Sequence, residues 1–215
     1  MRSILIAAKE LDHAKTRLAP ALPPGERRVL AEAMFRDVLA ASLASRVADQ
    51  VAVVTSDRAL LDVARTAGAY TIDEEYPRGL NVAVAIATTH LASHGADTVC
   101  TVLSDIPMIT ADDIDDAFRA MPPAGQGVVL VPSLDFSGTN VIVRSPAGVV
   151  RTRFGRMSLV KHREDCRNRG VPCEVLRLMR PALDLDLTAD LAEFVRAGTT
   201  THTHNHLARL GIAHH

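Results

Sequence analysis

The sequence predicts a single α/β domain in which a mostly parallel central sheet carries helices on both faces. Short and almost continuous apolar runs alternate with segments of helical periodicity along the 215 residues. Such runs are typical of strands that are buried on both faces, as in parallel sheets. The length suits one full hydrophobic core, and the sequence contains no linker or internal repeat. Aromatic residues make up only 3% of the chain, so we expect an aliphatic core.

The first half of the chain predicts four strands, with a helix after each of the first three. A stripe of Leu30, Met34 and Val38 at helical spacing indicates the first helix, which follows a polar, basic loop. Asp57 supplies capping chemistry for the second helix. The predicted strands cover residues 4–6, 51–54, 69–72 and 98–103, and the helices cover residues 25–45, a segment around 60–64, and 79–94.

The second half continues this alternation and then becomes polar. Thr110 and Asp113 form a capping box before a helix, and Thr188 is predicted to cap the last helix. Predicted strands cover residues 128–131, 140–143 and 173–176, an extended piece covers 183–186, and a helix covers 158–169. We therefore expect a domain over residues 1–197 and a flexible, His-rich tail over residues 198–215. A metal site formed by His202, His204 and His206 is the less favoured interpretation of that tail.

Composition excludes several classes of function. A formal net charge of −1 and few aromatic residues argue against a nucleic-acid-binding protein. No apolar stretch is long enough to span a membrane, and the apolar run near the amino terminus is too short for a signal peptide. The three cysteines, Cys100, Cys166 and Cys173, contain no CxxC pair, which indicates reduced thiols. We expect a cytoplasmic protein.

Three cations follow directly after the first predicted strand. Lys9, Lys15 and Arg17 lie within nine residues at the end of a strand where α/β sheets bind ligands, and they could neutralise a triphosphate. Because Glu10 and Asp12 lie among them, a solvated charged loop is an equal alternative. The segment has neither a Walker sequence nor a GxGxxG pattern.

Carboxylates follow two other predicted strand ends. Asp105 comes directly after an apolar strand and could hold Mg²⁺, although it could also cap the next turn. Asp184 and Asp186 would share one face of an extended segment. Two adjacent like charges need a cation or a donor between them, which favours a metal site. The alternative is that Asp186 helps to begin the following helix.

Two further segments could bind an anion. Gly155 and Ser158 lie at the predicted start of a helix, where free N–H groups and the side chains of Arg153 and Arg156 would attract a phosphate. A routine serine cap on an exposed basic helix is the alternative. His162 is expected to face solvent or to lie behind the site. No Ser-His-Asp or Cys-His arrangement follows from spacing.

Taken in order, these segments resemble the guanylyltransferases that act early in the assembly of the deazaflavin coenzyme F420. Enzymes of that family use 2-phospho-L-lactate, phosphoenolpyruvate or 3-phospho-D-glycerate as acceptor. The resemblance implies a nucleotidyltransferase variant of the nucleotide-binding α/β sandwich. It is carried by Lys9 with residues 14–18, by residues 79–81, 105–107 and 138–140, by Phe154, Gly155, Ser158 and His162, and by residues 184–186 with 190–191.

The resemblance implies a role for each candidate residue. GTP and a small phosphorylated acid would be the substrates, Mg²⁺ the cofactor, and functional coupling to the next enzyme of the pathway is possible. Lys9, Lys15 and Arg17 would be the catalytic cations at the GTP phosphates, with Asn81 and Ser104 near the nucleotide. Asp105, Asp184 and Asp186 would hold the metal, and Thr139, Gly155 and Ser158 would bind the acid.

The chain departs from the family pattern around the acceptor and metal segments. Ser137 stands where a glycine is common, Arg156 and Met157 replace small residues, and Leu187-Thr188 replaces a Thr-Pro pair. Two alternatives remain. One is a nucleotidyltransferase of the same fold that uses a sugar phosphate or molybdenum cofactor, although the usual Gly-rich loop is absent. The other is a non-catalytic GTP-binding protein.

Overall fold

The computed structural model describes residues 1–123, 125–198 and 200–212. Its centre is a seven-stranded sheet of order β3-β2-β1-β4-β6-β5-β7. All neighbouring strands are parallel except β6, which is antiparallel to both β4 and β5. This confirms the mostly parallel sheet. The strands are β1 (Arg2–Ala7), β2 (Gln50–Thr55), β3 (Tyr70–Asp73), β4 (Thr98–Leu103), β5 (Gly127–Pro132), β6 (Thr139–Ser145) and β7 (Cys173–Val175).

The reversed direction of β6 brings polar residues to one edge of the sheet. Val102 near the end of β4 pairs with Val141 near the beginning of β6. The first residues of β6, Thr139 and Asn140, therefore lie at the same edge as the carboxyl ends of β1 and β4. The sequence pattern did not predict the direction of this strand, because alternation of strands and helices carries no such information where two strands follow each other directly.

Helices cover both faces of the sheet. Alternation along β1 places Ile4 and Ile6 in one core and Leu5 and Ala7 in the other, so the strand is buried on both sides. The helices are α1 (Pro24–Leu43), α2 (Arg58–Thr66), α3 (Leu80–Ser93), α4 (Ala111–Arg119), α5 (Ser158–Arg169), α6 (Met179–Ala182), α7 (Thr188–Arg196) and α8 (His202–Arg209). Buried side chains of α1, α2, α4, α7 and α8 form the first core, and those of α3 and α5 form the second.

Local capping signals were accurate in two of three cases. The Thr110 hydroxyl accepts the Asp113 N–H at 3.3 Å, while Asp113 accepts the Thr110 N–H at 2.9 Å, as the capping box predicts. Asp57 accepts the N–H groups of Ala59 and Leu60. The third prediction, that Thr188 is the cap, is wrong by one residue. Thr188 is the first helical residue, and the α6 turn was not predicted.

The prediction of a flexible tail is wrong for most of the segment. Residues 202–209 form α8, which packs on α1, and Leu207 is fully buried. The carboxylate of Asp37 accepts the N–H groups of His202 and Thr203 and the Thr203 hydroxyl at 2.6–2.9 Å. A buried carboxylate at the amino end of a helix satisfies its free N–H groups. The part of the predicted tail at Thr199 and residues 213–215 lies outside the described residues.

No helix in the part of the chain that the structure describes is both long and apolar enough to cross a membrane.

Candidate active site

The basic loop after β1 is held against the turn that follows β2. Leu11 donates its N–H to Asp57 Oδ2 at 2.9 Å, and the Ser56 hydroxyl donates to Glu10 at 3.1 Å. Leu11 and Leu18 are buried, so two short 3₁₀ turns fix both ends of the loop. The polar residues that suggested a solvated loop thus anchor it to the domain.

Lys15 is the cation that this loop brings into the site. Its backbone is left-handed, with φ of 53°, and its side chain is only 7% exposed. Nζ donates to Asp105 Oδ2 at 2.8 Å and to Asp186 Oδ1 at 2.7 Å. Arg17 is 73% exposed and lies 3.6 Å from Asp186. Lys9 is exposed, and its charge helps to lower the pKa of Asp186.

The segment that carries the acidic pair is tied to two strand ends. Leu185 donates its N–H to the carbonyl of Asp105 at 3.1 Å, which sets this segment beside the end of β4. The Asn140 amide donates to the carbonyls of Pro181 and Ala182 at 2.9 and 3.1 Å, and more weakly to Asp184 at 3.4 Å. Ser104, next to Asp105, is half-buried at the same edge. The predicted acidic residues therefore meet although they are distant in the chain.

The charges in this cluster perturb one another. Burial and the charges of Asp105 and Asp186 raise the pKa of Asp184 to about 6. Burial acts to raise the pKa of Asp186, but the Lys15 charge and hydrogen bond, then Arg17, outweigh it and lower that pKa. Burial acts to lower the pKa of Lys15, and the two aspartates outweigh it and raise that pKa. Three carboxylates thus hold more negative charge than one buried lysine neutralises.

The carboxylates fit a divalent cation in their chemistry. Among the described residues, Asp105 Oδ1 is buried and has no hydrogen-bond partner, and such an oxygen calls for a cation or a donor. Asp184 also has a raised pKa, caused first by burial and then by the charges of Asp105 and Asp186. Yet within that same part of the chain no three His, Cys, Asp or Glu side chains are already arranged as a metal cage. Lys15 contacts two of the candidate carboxylates, so it occupies part of the space where a metal would be held.

A second group of predicted residues surrounds the beginning of α5. Gly155 has φ of +109°, which a side chain would strain, and its carbonyl accepts the Ser158 N–H at 3.0 Å. Met157 precedes the helix in a left-handed conformation, and Ser158 is buried. Leu159 donates its N–H to the carbonyl of Ser137 at 3.4 Å. The loop before β6 therefore lies against the amino end of α5, where a helix favours an anion.

The hydrogen bonds of the Asn81 side chain differ from the contact with a nucleotide that the resemblance implies. Its side-chain carbonyl accepts the Phe154 N–H at 2.7 Å, and its amide donates to the Phe154 carbonyl at 3.0 Å. Both polar atoms of the side chain are thus bonded to the loop that leads to Gly155. Its predicted contact with a nucleotide stays a prediction, and its observed contact fixes the segment before α5.

Thr139 and His162 join the beginning of β6 to α5. His162 is fully buried, so the expectation of a solvent-facing side chain is wrong, and its place behind the site is the correct one of the two alternatives. Its Nε2 accepts the Arg153 N–H at 2.8 Å, and Nδ1 lies 3.1 Å from Thr139 Oγ1. Burial, and then the charge of Arg144, lower the pKa of His162 to about 4. Its imidazole is therefore neutral near pH 7.

Sequence reasoning missed the individual contacts that Asn140 and His162 make. Asn140 stood in a recognised segment, but its partners, Pro181 and Ala182, are more than forty residues away. His162 follows Ser158 by four residues, so both point to the same side of α5. That spacing indicates that the His162 side chain lies one turn after Ser158 on the same side of α5.

Comparison with known proteins identifies the family of this chain. The family model described as "Guanylyl transferase CofC like" matches residues 2–215. The chain is 36% identical over 189 residues to a phosphoenolpyruvate guanylyltransferase of Sphaerobacter thermophilus, covering 88% of this chain and 90% of the relative. It is 32% identical over 206 residues to a 2-phospho-L-lactate guanylyltransferase of Methanothermobacter thermautotrophicus, covering 96% and 89%.

A solved structure supports the fold alone. A crystal structure of a proposed nucleotide-diphospho-sugar transferase from Desulfovibrio desulfuricans G20 is similar with a TM-score of 0.78 at 17% identity, covering 99% of this chain and 96% of that chain. Its fold agrees with the nucleotidyltransferase sandwich that the resemblance implies. Since the family model extends over nearly the whole sequence and the curated relatives exceed 30% identity, the chain belongs to the CofC-like guanylyl transferase family.

Proposed function

We propose that this protein transfers GMP from GTP to the phosphate group of a small phosphorylated carboxylic acid, with release of pyrophosphate, in coenzyme F420 biosynthesis. The observation that carries the proposal is the contact of Lys15 with both Asp105 and Asp186 at one edge of the sheet. A cation and carboxylates from three distant segments meet there, beside the amino end of α5. Such an edge is where α/β sheets bind nucleotides and their phosphates.

The basic loop provides the charge that a triphosphate needs. Lys15 lies inside the carboxylate cluster, while Arg17 and Lys9 are exposed beside it. We assign these three cations to the GTP phosphates and to the leaving pyrophosphate, whose negative charge they would stabilise in the transition state. Ser104 lies beside Asp105 at the same edge of the sheet, and we keep Ser104 and Asn81 as nucleotide-side residues.

The carboxylates would hold Mg²⁺. Asp105, with its buried unpartnered oxygen, and Asp184, with its raised pKa, are the strongest candidate ligands. Asp186 is the third, and its contact with Lys15 would have to be shared or released. When bound, the ion would neutralise phosphate oxygens and orient the triphosphate for in-line displacement.

The acid would bind at the second group of residues. The Ser158 hydroxyl and the positive end of the α5 dipole suit its phosphate, and Thr139 reaches this group through its contact with His162 of α5. An oxygen of that phosphate forms a bond to the α-phosphorus of GTP while the bond from the α-phosphorus to the pyrophosphate oxygen breaks. The nucleophile is already anionic near neutral pH, so no general base is required, and positioning and charge neutralisation supply the catalysis.

Phosphoenolpyruvate and 2-phospho-L-lactate are the acceptors that we propose, and 3-phospho-D-glycerate is the alternative. The two curated relatives described above carry names with different acceptors. The departures from the family pattern at Ser137, Arg156 and Met157 all lie around the proposed acid site. We further propose a cytoplasmic enzyme that is coupled to the next step of its pathway.

A substrate panel tests the proposal. Pyrophosphate release is measured with Mg²⁺ and GTP, CTP, ATP or UTP against each of the three acids, with the next enzyme of the pathway added to trap an unstable product. We expect turnover with GTP and one of the acids. Turnover only with another nucleotide or with a sugar phosphate would contradict it. Tight GTP binding without turnover for any acceptor would favour a non-catalytic protein.

The variant Asp105→Asn tests the role of the carboxylate cluster. It keeps the shape of the side chain and removes one charge, so we expect Mg²⁺-dependent turnover to fall by about a hundredfold or more while the circular dichroism spectrum is unchanged. Asp62→Asn is the matched control, because Asp62 is 73% exposed and, among the described residues, bonds only to Arg65 on its own helix. Near wild-type turnover of Asp105→Asn would refute the metal assignment.

A further inference from the structure

His162 is a buried polar residue to which the reaction described above gives no direct part. It is fully buried between α5 and the beginning of β6, yet both ring nitrogens have partners. One is the backbone N–H of Arg153, which can only donate. The other is the hydroxyl of Thr139, which can donate or accept. The direction of the second hydrogen bond therefore depends on the state of the ring.

The backbone contact fixes that state. Nε2 lies 2.8 Å from the Arg153 nitrogen and must offer a lone pair to it. The ring is also kept neutral, because burial and the charges of Arg144, Arg153 and Lys161 outweigh the opposite effect of Asp165. A neutral ring that accepts at Nε2 carries its proton at Nδ1. His162 therefore donates to Thr139 Oγ1, and the Thr139 hydroxyl accepts.

We propose that His162 is a positioning residue, which turns the Thr139 hydroxyl hydrogen toward the anionic acceptor. This inference rests on the proposed function, since the acceptor is its ligand. Among the described residues, the Thr139 hydroxyl has His162 as its one hydrogen-bond partner, so its own hydrogen is left to donate. His162 also accepts the Arg153 N–H, so it holds the hydroxyl beside the segment from Arg153 to Ser158 that forms the proposed acid site.

The proposal distinguishes His162 from a residue that only fills space. Asparagine at this position has an amide that can replace the Nδ1 donor, whereas glutamine has an oxygen that can replace the Nε2 acceptor. We expect His162→Asn to keep the Michaelis constant for phosphoenolpyruvate within about threefold of wild type. His162→Gln should raise it by about tenfold, the worth of one hydrogen bond to a charged ligand, and should leave the constant for GTP unchanged.

The Thr139→Val variant tests whether His162 acts through the Thr139 hydroxyl. It removes the hydroxyl while keeping the shape of the side chain, so it should raise the Michaelis constant for phosphoenolpyruvate by about tenfold. The double variant with His162→Gln should be no worse than either single variant. Equal losses in His162→Asn and His162→Gln would overturn the proposal. Multiplied losses in the double variant would do so as well, because independent effects multiply.

A spectroscopic measurement tests the ring without any activity. Nitrogen-15 NMR of the labelled full-length protein distinguishes the two neutral tautomers, and the signal lost in His162→Gln identifies the residue. We expect the Nδ1–H tautomer at pH 7 and a ring that is still neutral at pH 5.5. Finding the Nε2–H tautomer, or a His162 ring that is protonated near pH 6.5, would overturn the proposal. It would do so even if the protein turned over every acid, so this result is separate from the proposed function. The expected tautomer in a protein that turns over no acid would contradict the proposed function and leave the hydroxyl orientation standing.

Discussion

Replacing Lys15 by methionine should weaken the protein in a way that Mg²⁺ partly repairs. Two ion pairs of 2.7–2.8 Å join its Nζ to Asp105 and Asp186. At an effective dielectric constant of about 20, one such pair attracts by about 6 kcal/mol, but the desolvation of Lys15 offsets most of this attraction. Removing one partner of a buried pair costs about 3–5 kcal/mol. Because the two carboxylates are 27% and 36% exposed, we expect a smaller loss than this range, about 2–3 kcal/mol.

The assay is urea unfolding of wild type and Lys15→Met, each in EDTA and in Mg²⁺. Without lysine the carboxylates repel one another and are open to a cation, so Mg²⁺ at about ten times its dissociation constant should return about 1.4 kcal/mol to the variant. Wild type should gain less, because Lys15 already contacts two carboxylate oxygens. Arg17→Met is the control and should change stability by less than about 0.5 kcal/mol, since Arg17 is exposed. Equal stabilisation of wild type and Lys15→Met by Mg²⁺ would refute this reasoning.

Three other outcomes follow from contacts outside the carboxylate cluster. Asp37→Ala removes the acceptor of three hydrogen bonds from the amino end of α8 and should lower the free energy of unfolding by about 3 kcal/mol, measured in urea. Asn81→Ala breaks both bonds to Phe154, in the loop that leads to Gly155, and should raise the Michaelis constant for the acid about tenfold in steady-state kinetics. The folded-state pKa of His162, about 4, lies below its unfolded value near 6.5, so the unfolded state binds more protons between these values. Stability should therefore fall as pH falls, by about 2 kcal/mol more in wild type than in His162→Gln between pH 6.5 and 5; identical pH dependence would contradict a neutral buried ring.

Local signals in the sequence predicted an element well where the residues of that element themselves carry the signal. The predicted helix over residues 158–169 agrees with α5 at both ends, and the capping box at Thr110 begins α4 as expected. By contrast, α8 was missed because its composition is polar. Its stability comes from Asp37, 165 residues earlier in the chain, and from the burial of Leu207 on α1. Tertiary contacts of this kind leave no periodic pattern that a short window can detect.

The candidate site was predictable in its residue types and not in its contacts. Asp105, Asp184 and Asp186 were expected together from the family resemblance, and the structure brings them together. The position of Lys15 between two of them could not be predicted, since it depends on a left-handed backbone and on a loop anchored to Asp57. Asn81 shows the same limit, because its amide bonds to a backbone segment 73 residues away.

The geometry also explains how acceptor choice can vary while the reaction stays the same. Thr139 and Asn140 are adjacent at the beginning of β6, and one contacts His162 while the other contacts Asp184. A single strand end thus holds the proposed acid side and the proposed metal side at a fixed separation, as the proposed transfer between two bound phosphates requires. The departures at Ser137, Arg156 and Met157 lie on loops around the acid side and leave that strand end unchanged. Substitutions on those loops can therefore change which acid fits, whereas a change at Thr139 or Asn140 would disturb the distance over which the nucleophile must reach the α-phosphorus.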